Sequence, residues 1–136
     1  MYDPQDNDLA EQIHQALFAA AVKCWYAPED ACWGEYIWNA ADIGILRHDK
    51  LLVILSEASL ENSLIEGAVV SAIEAEKLRN ETILFPIRAD DAVMKSQVGW
   101  AAYIRRTRFI GDFTVWQDKT LYERVFRRLL KNLARE

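Results

Sequence analysis

Apolar runs alternate along the chain with stretches in which apolar residues recur at helical spacing. Residues 51–55 are apolar at every position, which is typical of a strand covered by helices on both faces of a parallel sheet. The predicted strands are 21–26, 51–55, 82–87 and 108–110. The predicted helices are 8–21, 34 to about 45, 61–79, a short helix with Trp100 and Tyr103, and 118–134.

This alternation of strands and helices predicts an α/β sandwich, with a parallel sheet between helical layers and right-handed crossovers. Pro86 suggests that the strand at 82–87 is ending there. The apolar stripe of the last helix is expected to face the sheet through Leu121, Val125, Leu129, Leu130 and Leu133. Because no repeat, low-complexity tract or linker interrupts the pattern, residues 1–136 are predicted to form a single domain.

Composition narrows the class of protein. The chain has 136 residues, of which 51% are hydrophobic and 27% charged, as in ordinary globular domains. The net charge of −5 argues against a nucleic acid or an anionic membrane as the partner. A basic series (Arg124, Arg127, Arg128, Lys131, Arg135) is interleaved with apolar positions and is interpreted as a solvated helix face. With no span of about 18 apolar residues and no signal peptide, a cytoplasmic location is expected.

The residues that most often bind metals or form disulfides give no pattern. His14 and His48 lack partners at metal-ligand spacing, so we predict no metal site. Cys24 and Cys32 form neither a Cys-x-x-Cys pair nor a secreted disulfide framework, and Cys24 is expected to be buried. No resident cofactor is predicted.

Several longer motifs carry a family resemblance. They are Trp25-Tyr26-Ala27-Pro28-Glu29-Asp30 with Gly34, Asp49-Lys50-Leu51-Leu52-Val53-Ile54-Leu55-Ser56, Leu84-Phe85-Pro86-Ile87-Arg88-Ala89-Asp90-Asp91-Ala92-Val93, Gly99-Trp100-Ala101-Ala102, and Ile110-Gly111-Asp112-Phe113 with Trp116. Together they resemble the bacterial subfamily of TIR (Toll/interleukin-1 receptor-like) domains over nearly the whole chain.

The resemblance implies a flavodoxin-like, three-layer α/β sandwich with five parallel strands in the order 2-1-3-4-5. It also implies that the loop after the second strand, residues 30–34 here, is the main association and substrate-gating element. The family's hydrophobic first strand is missing, because this chain begins already in the loop that follows it. We expect either that the strands around Trp25 and Leu51 pair directly, that another chain donates a strand, or that the sequence is truncated.

The resemblance further implies that an NAD-cleaving member would carry Trp-x-x-x-Glu at the start of the helix at 61–79. Leu64 occupies the tryptophan position and Ala68 the glutamate position. A carboxylate there would stabilise the positive charge that develops on the ribosyl carbon, which a methyl group cannot do. We therefore predict no catalytic residue. Glu66 lies about 200° around the helix from Ala68 and is a poor substitute.

Three functions remain open. The first is a signalling module, catalytically silent, that acts through TIR–TIR self-association as a homo-oligomer, with contacts at Asp30, Cys32, Trp33, Gly34 and Trp38. The second is an NAD glycohydrolase, natural or inactivated by the alanine. The third is a sensor that binds NAD or cyclic ADP-ribose without turnover. In the last two the nucleotide is expected to contact Tyr2, Asp3, Asp30, Trp33 and Ser59.

Overall fold

The computed structural model describes residues 1–24, 26, 30, 33–34 and 50–134. Its elements are a 3-10 turn (Pro4–Asp6), α1 (Asn7–Ala19), β1 (Leu51–Leu55), α2 (Glu57–Leu60), α3 (Ser63–Arg79), β2 (Leu84–Arg88), α4 (Ala92–Lys95), α5 (Gly99–Thr107), β3 (Gly111–Asp112) and α6 (Lys119–Ala134). The predicted strand at 51–55 and the three long predicted helices are confirmed to within two residues at each end. Except for Gly34, the helix predicted from residue 34 to about 45 lies outside the described residues.

The three strands form one parallel sheet in the order β1-β2-β3. The backbone of Met1 adds to the other edge of β1, where its carbonyl accepts from Ile54 N at 3.0 Å and its amine donates to the Leu52 carbonyl at 2.7 Å. Met1 therefore occupies part of the edge that we expected the strand around Trp25 to fill. Trp25 itself lies outside the described residues.

Side chains of β1 alternate between two apolar clusters, one on each face of the sheet. Ile54 packs with residues of α1 and α6, including Leu9, Ile13 and Phe126. Val53 and Leu55 pack with residues of α3 and α5 on the opposite face. Because a strand turns successive side chains to opposite faces, this alternation confirms the predicted three-layer α/β sandwich.

Two of the predicted strands are wrong. The described residues of the range 21–26 form no strand, because Ala21 has a φ of 59° and Val22 N still donates to Leu17 at the end of α1. The last strand begins at Gly111 rather than at residue 108. Gly111 lies so close to β2 that an added Cβ would come within 3.0 Å of Ile87 Cγ2, which favours glycine there.

The edge of β2 ahead of β3 is satisfied by an ion pair instead of a strand. Arg108 donates to Glu76 Oε1 at 2.7 Å and to the Leu84 carbonyl at 3.2 Å. Glu76 Oε2 accepts from the backbone N–H groups of Ile83 and Leu84 at 2.8 and 2.9 Å. Residues 108–110 were predicted to form a strand. They do not, because the Arg108 side chain donates to the Leu84 carbonyl in place of a strand backbone.

The strand predicted at 82–87 ends one residue later than expected, at Arg88, so Pro86 lies near its end as predicted. Leu51 N donates to the Ile83 carbonyl, and Ala89 N donates to the Leu55 carbonyl. The backbone N–H and C=O groups of odd-numbered residues around β2 therefore point towards β1, and those of even-numbered residues point towards β3. Pro86 therefore faces β3, which begins only opposite Ile87. A missing N–H is tolerated at a position with no partner strand.

The buried face of α6 includes most of the predicted stripe, since Leu129 is buried and Val125, Leu130 and Leu133 pack half-buried against the same cluster. Tyr122, Phe126 and Leu129 are buried, whereas Leu121 is exposed. The rings of Tyr122 and Phe126 stack at 5.8 Å, and Phe113 meets Tyr122 edge-on at 6.1 Å. Aromatic rings bury more area than leucine and so determine which face turns inward.

Cys24, which the sequence predicted to be buried, is exposed.

Candidate functional site

The candidate site lies at the carboxyl edge of the parallel sheet, where β1 and β2 end. Ligands of open α/β sheets bind outside the carboxyl ends of the strands. Here the 3-10 turn at Pro4–Asp6, the start of α2 and the start of α3 come together beyond β1. These segments contain several of the residues that the sequence predicted for the site.

Two side-chain hydrogen bonds fix the 3-10 turn against the end of β1 and the start of α3. Ser56 Oγ donates to Asp6 Oδ2 at 2.5 Å, and Asn62 Nδ2 donates to Asp3 Oδ2 at 2.9 Å. Asp3 Oδ1 also accepts from Gln5 N at 2.9 Å and so caps the turn. The Asp3 carboxylate, a predicted nucleotide contact, is therefore already used to hold the edge together.

Ser59, another predicted nucleotide contact, is fully buried in a capping box. Its hydroxyl accepts from Ser56 N at 2.7 Å and donates to the Ser56 carbonyl at 2.9 Å. The Ser56 hydroxyl accepts in turn from Ser59 N at 3.1 Å. These bonds give Ser59 a structural task at the start of α2, and its contact with a ligand stays a prediction.

The end of β2 contributes a mixed charge cluster. Asp90 accepts from the backbone N–H groups of Glu57 and Ala92, at 3.0 and 2.9 Å, and so joins the loop after β2 to the start of α2. Arg88 contacts Asp91 at 2.5 Å and Asp112 at 3.2 Å. With two carboxylates already beside it, Arg88 is poorly placed to neutralise an added phosphate.

A column of stacked rings borders the site. The ring centroids of Tyr2 and Tyr26 are 6.1 Å apart, and the His14 ring also stacks on Tyr26, with a centroid distance of 4.3 Å. The Tyr2 hydroxyl donates to Asn7 Oδ1 at 3.4 Å. Burial, together with the neighbouring Tyr26, raises the pKa of Tyr2 above its usual range. The phenol therefore stays protonated at neutral pH and keeps its hydrogen bond to Asn7.

The described part of the predicted association loop is highly exposed. Asp30 Oδ2 accepts from Tyr26 N at 2.6 Å, which ties residue 30 to the ring column. The Trp33 side chain is fully exposed at 103%. Gly34 has a φ of +87°, a left-handed conformation that favours glycine. The predicted contacts Cys32 and Trp38 lie outside the described residues.

The helix α3 presents no carboxylate at the position where an NAD-cleaving relative would need one. Ala68 is only 3% exposed and faces inward, and Leu64, one turn earlier, is half-buried. Glu66 and Glu61 are both exposed. Because two residues along a helix are about 200° apart, Glu66 lies on the face opposite Ala68.

Negative charge accumulates at this edge. Burial raises the pKa of Asp6, as do the nearby charges of Asp3 and Asp90, although the bond from Ser56 opposes the shift. Among the described residues, no group of three or more His, Cys, Asp or Glu is arranged to hold a metal ion. None of the helices in the described ranges is both long and apolar enough to cross a membrane.

The raised pKa of Asp6 predicts a pH-dependent penalty. A carboxyl group whose pKa is higher in the folded state makes the fold lose stability as pH rises through that folded pKa. We expect Asp6→Asn, which keeps an acceptor for Ser56, to be more stable than the native chain at pH 7 and equally stable near pH 3. Urea unfolding at both pH values measures this, with Asp8→Asn at an exposed position of α1 as control. A constant difference between native and variant across pH would contradict the prediction.

Sequence reasoning did not find the bonds from Ser56 to Asp6 and from Asn62 to Asp3. Asp6 could be identified only as a helix cap, and Asn62 only as part of a polar loop. The spacing Ser-x-x-Ser at residues 56–59 was the available signal for the capping box. The other bonds join residues more than 45 positions apart, which no local pattern encodes.

A parallel sheet between two helical layers, with polar loops gathered at its carboxyl edge, defines the class as flavodoxin-like α/β proteins. A family model described as "TIR domain" matches residues 1–130, and the chain belongs to the TIR domain family. TIR domains are in general signalling and interaction modules.

A solved structure supports the same fold. The crystal structure of the TIR domain of the Toll-related receptor TRR-2 from the lower metazoan Hydra magnipapillata is similar, with a TM-score of 0.72 and 16% sequence identity. The alignment covers 98% of this chain and 94% of that one. No curated protein matches the chain significantly.

Proposed function

We propose that this TIR domain is a cytoplasmic signalling module that self-associates and does not cleave NAD. The observation that carries the proposal is the fully exposed indole of Trp33, beside the left-handed Gly34, in the predicted association loop. Large exposed aromatic side chains are favoured anchors of protein interfaces. A tryptophan that loses its water on association can contribute 2 kcal/mol or more to binding, on the order seen for interface hot spots.

Two features support the absence of catalysis. The methyl group of Ala68, 3% exposed, stands where a carboxylate would have to stabilise a ribosyl cation. Asp3, Asp6 and Asp90 gather at the surrounding edge, and Arg88 beside them is already paired with Asp91 and Asp112. The anionic pyrophosphate of a dinucleotide is repelled by such an edge.

Trp33→Ala tests self-association. We expect the dissociation constant for self-association to rise about 30-fold, which corresponds to a hot-spot loss of 2 kcal/mol, with no change in thermal stability. Analytical ultracentrifugation over a concentration series measures it. Phe109→Ala is the matched control, because Phe109 is also a fully exposed aromatic residue but lies before β3.

An unchanged dissociation constant in Trp33→Ala would refute the role of the loop, and a monomer at all concentrations would refute self-association. Gly34→Arg is a less specific test. Residue 34 has a φ of +87°, so arginine there adds backbone strain as well as bulk. The homo-oligomer is expected to be built from these same loop contacts, together with Asp30, Cys32 and Trp38.

The stacked Tyr2 and Tyr26 rings favour a second candidate, NAD-type nucleotide binding at the carboxyl edge. Aromatic faces can stack on a base, and the Tyr2 phenol oxygen can accept a hydrogen bond while its proton stays with Asn7. Nicotinamide release from NAD by the native chain would identify a glycohydrolase and overturn the proposal that the domain does not cleave NAD. Binding of NAD or cyclic ADP-ribose without release, measured by calorimetry, would identify a sensor.

A further inference from the structure

An open groove runs between α1 and α6, and none of the described residues of the proposed association loop lines it. Its volume is about 690 Å³. The floor is aromatic, formed by Trp116, Tyr122 and Phe126, and the side chains of Lys119 and Arg127 lie along its α6 rim. Tyr122 and Phe126 are only 8% and 9% exposed, whereas Trp116 is partly exposed, so Trp116 supplies most of the apolar surface that a ligand could contact.

Hydrogen bonds hold the floor of the groove in place. The Tyr122 hydroxyl donates to the Gln12 carbonyl at 3.4 Å, and Gln12 Nε2 donates to the Trp116 carbonyl at 3.4 Å. Tyr122 stacks on Phe126 at 5.8 Å. The groove is therefore preformed, and a ligand would not have to order the floor when it binds.

The charge of α6 is opposite to that of the chain. The helix carries five basic residues, Lys119, Arg124, Arg127, Arg128 and Lys131, and one acidic residue, Glu123, whereas the chain as a whole has a net charge of −5. Within the described ranges, the ion pairs at Arg88 and Arg108 involve no residue of α6. The basic side chains at the groove are consequently available to an anionic partner.

We propose that this groove binds an acidic peptide segment of another protein. Lys119 and Arg127 are eight residues apart, which separates them by about 12 Å along the helix. Glu123 lies midway between them and disfavours a carboxylate at the centre. The complementary segment has an apolar side chain on the aromatic floor and carboxylates on either side, one towards each end of the groove.

The proposal does not depend on self-association through the loop. A second copy of the chain would have to present the same acidic–apolar–acidic pattern, and is an alternative occupant that the experiment distinguishes. An extended peptide is favoured because the groove follows α6 from Lys119 to Arg127 and is open to solvent, whereas small ligands favour enclosed pockets.

The test uses the full chain and a fluorescein-labelled peptide with a pair of aspartates on each side of Leu-Phe. Fluorescence anisotropy measures the dissociation constant, and the amide NMR signals of Gln12, Gln117 and Arg127 report the location of binding. We expect saturable binding that weakens with added salt. The double variant Lys119→Glu/Arg127→Glu is expected to raise the dissociation constant about tenfold or more.

Arg124→Glu/Arg128→Glu is the matched control, because it makes the same charge change on α6 at two positions outside the groove lining, and it is expected to weaken binding much less than the double variant in the groove. Trp116→Ala tests the floor and is expected to weaken binding without changing the salt dependence. Equal binding by native chain and the double variant in the groove, or no binding by the native chain, overturns the proposal. Loss of self-association in the double variant with no peptide binding would assign the groove to a second copy and overturn it as well.

Discussion

Glu76→Ala is expected to lower the free energy of unfolding by about 3 kcal/mol, a typical cost of breaking a mostly buried ion pair by removing one partner. Glu76 and Arg108 are joined at 2.7 Å, with side chains 14% and 20% exposed. The variant leaves the Arg108 guanidinium without its carboxylate. It also leaves the N–H groups of Ile83 and Leu84 without an acceptor at the start of β2.

Chemical unfolding measures this loss, and Glu74→Ala is the control. Glu74 lies two residues earlier on α3 and is exposed, so its removal is expected to change stability by less than about 0.5 kcal/mol. Equal effects of the two substitutions would contradict a structural role for the ion pair. Arg108→Ala should be destabilising too, since it removes the donor to the Leu84 carbonyl.

The same pair gives a pH signature. Burial alone would raise the pKa of Glu76, but hydrogen bonds from Arg108 and from the N–H groups of Leu84 and Ile83 outweigh it and hold the pKa below its usual range. The stabilisation is therefore complete above the unfolded-state pKa of about 4.3 and is lost as pH falls through the folded value. In Glu76→Gln the loss of stability below about pH 5 should be shallower than in the native chain.

Ala68→Glu is expected to cost about 3 kcal/mol of stability and to create no NAD-cleaving activity. The position is 3% exposed, so a carboxylate there would lose its hydration without a cationic partner. Leu64 also offers no aromatic surface for a dinucleotide to stack on. Thermal unfolding measures the loss of stability, and an assay of nicotinamide release from NAD measures the cleaving activity.

Gly67→Glu is the control for the first part, because it adds the same side chain to the neighbouring position of α3. A Cβ at Gly67 meets nothing within 4 Å, and replacing glycine inside a helix is favourable. It should therefore be neutral or slightly stabilising. Nicotinamide release by Ala68→Glu, or by the same chain with Leu64→Trp, would show an intact cleft that lacks only its carboxylate, and would refute the second part.

Much of the candidate site could be predicted as residue types but not as contacts. The loops at the carboxyl edge follow from the motifs around Ser56 and Asp90. That Ser59 is buried in a capping box, and that Asp3 binds Asn62, depends on how those loops pack. The aromatic groove was missed, because the basic series on the last helix was interpreted as a solvated face.

The sequence by itself determined the α/β class, the position of β1 and the limits of the long helices, because runs of apolar residues and helical periodicity are local signals. It also determined the family, through motifs that are contiguous in the chain. Only the tertiary structure decided the beginning of β3, the aromatic residues that α6 turns inward and the pairing of Met1 with β1. These depend on contacts between distant residues, such as Arg108 with Leu84, whose energies outweigh the local preferences of the segments involved.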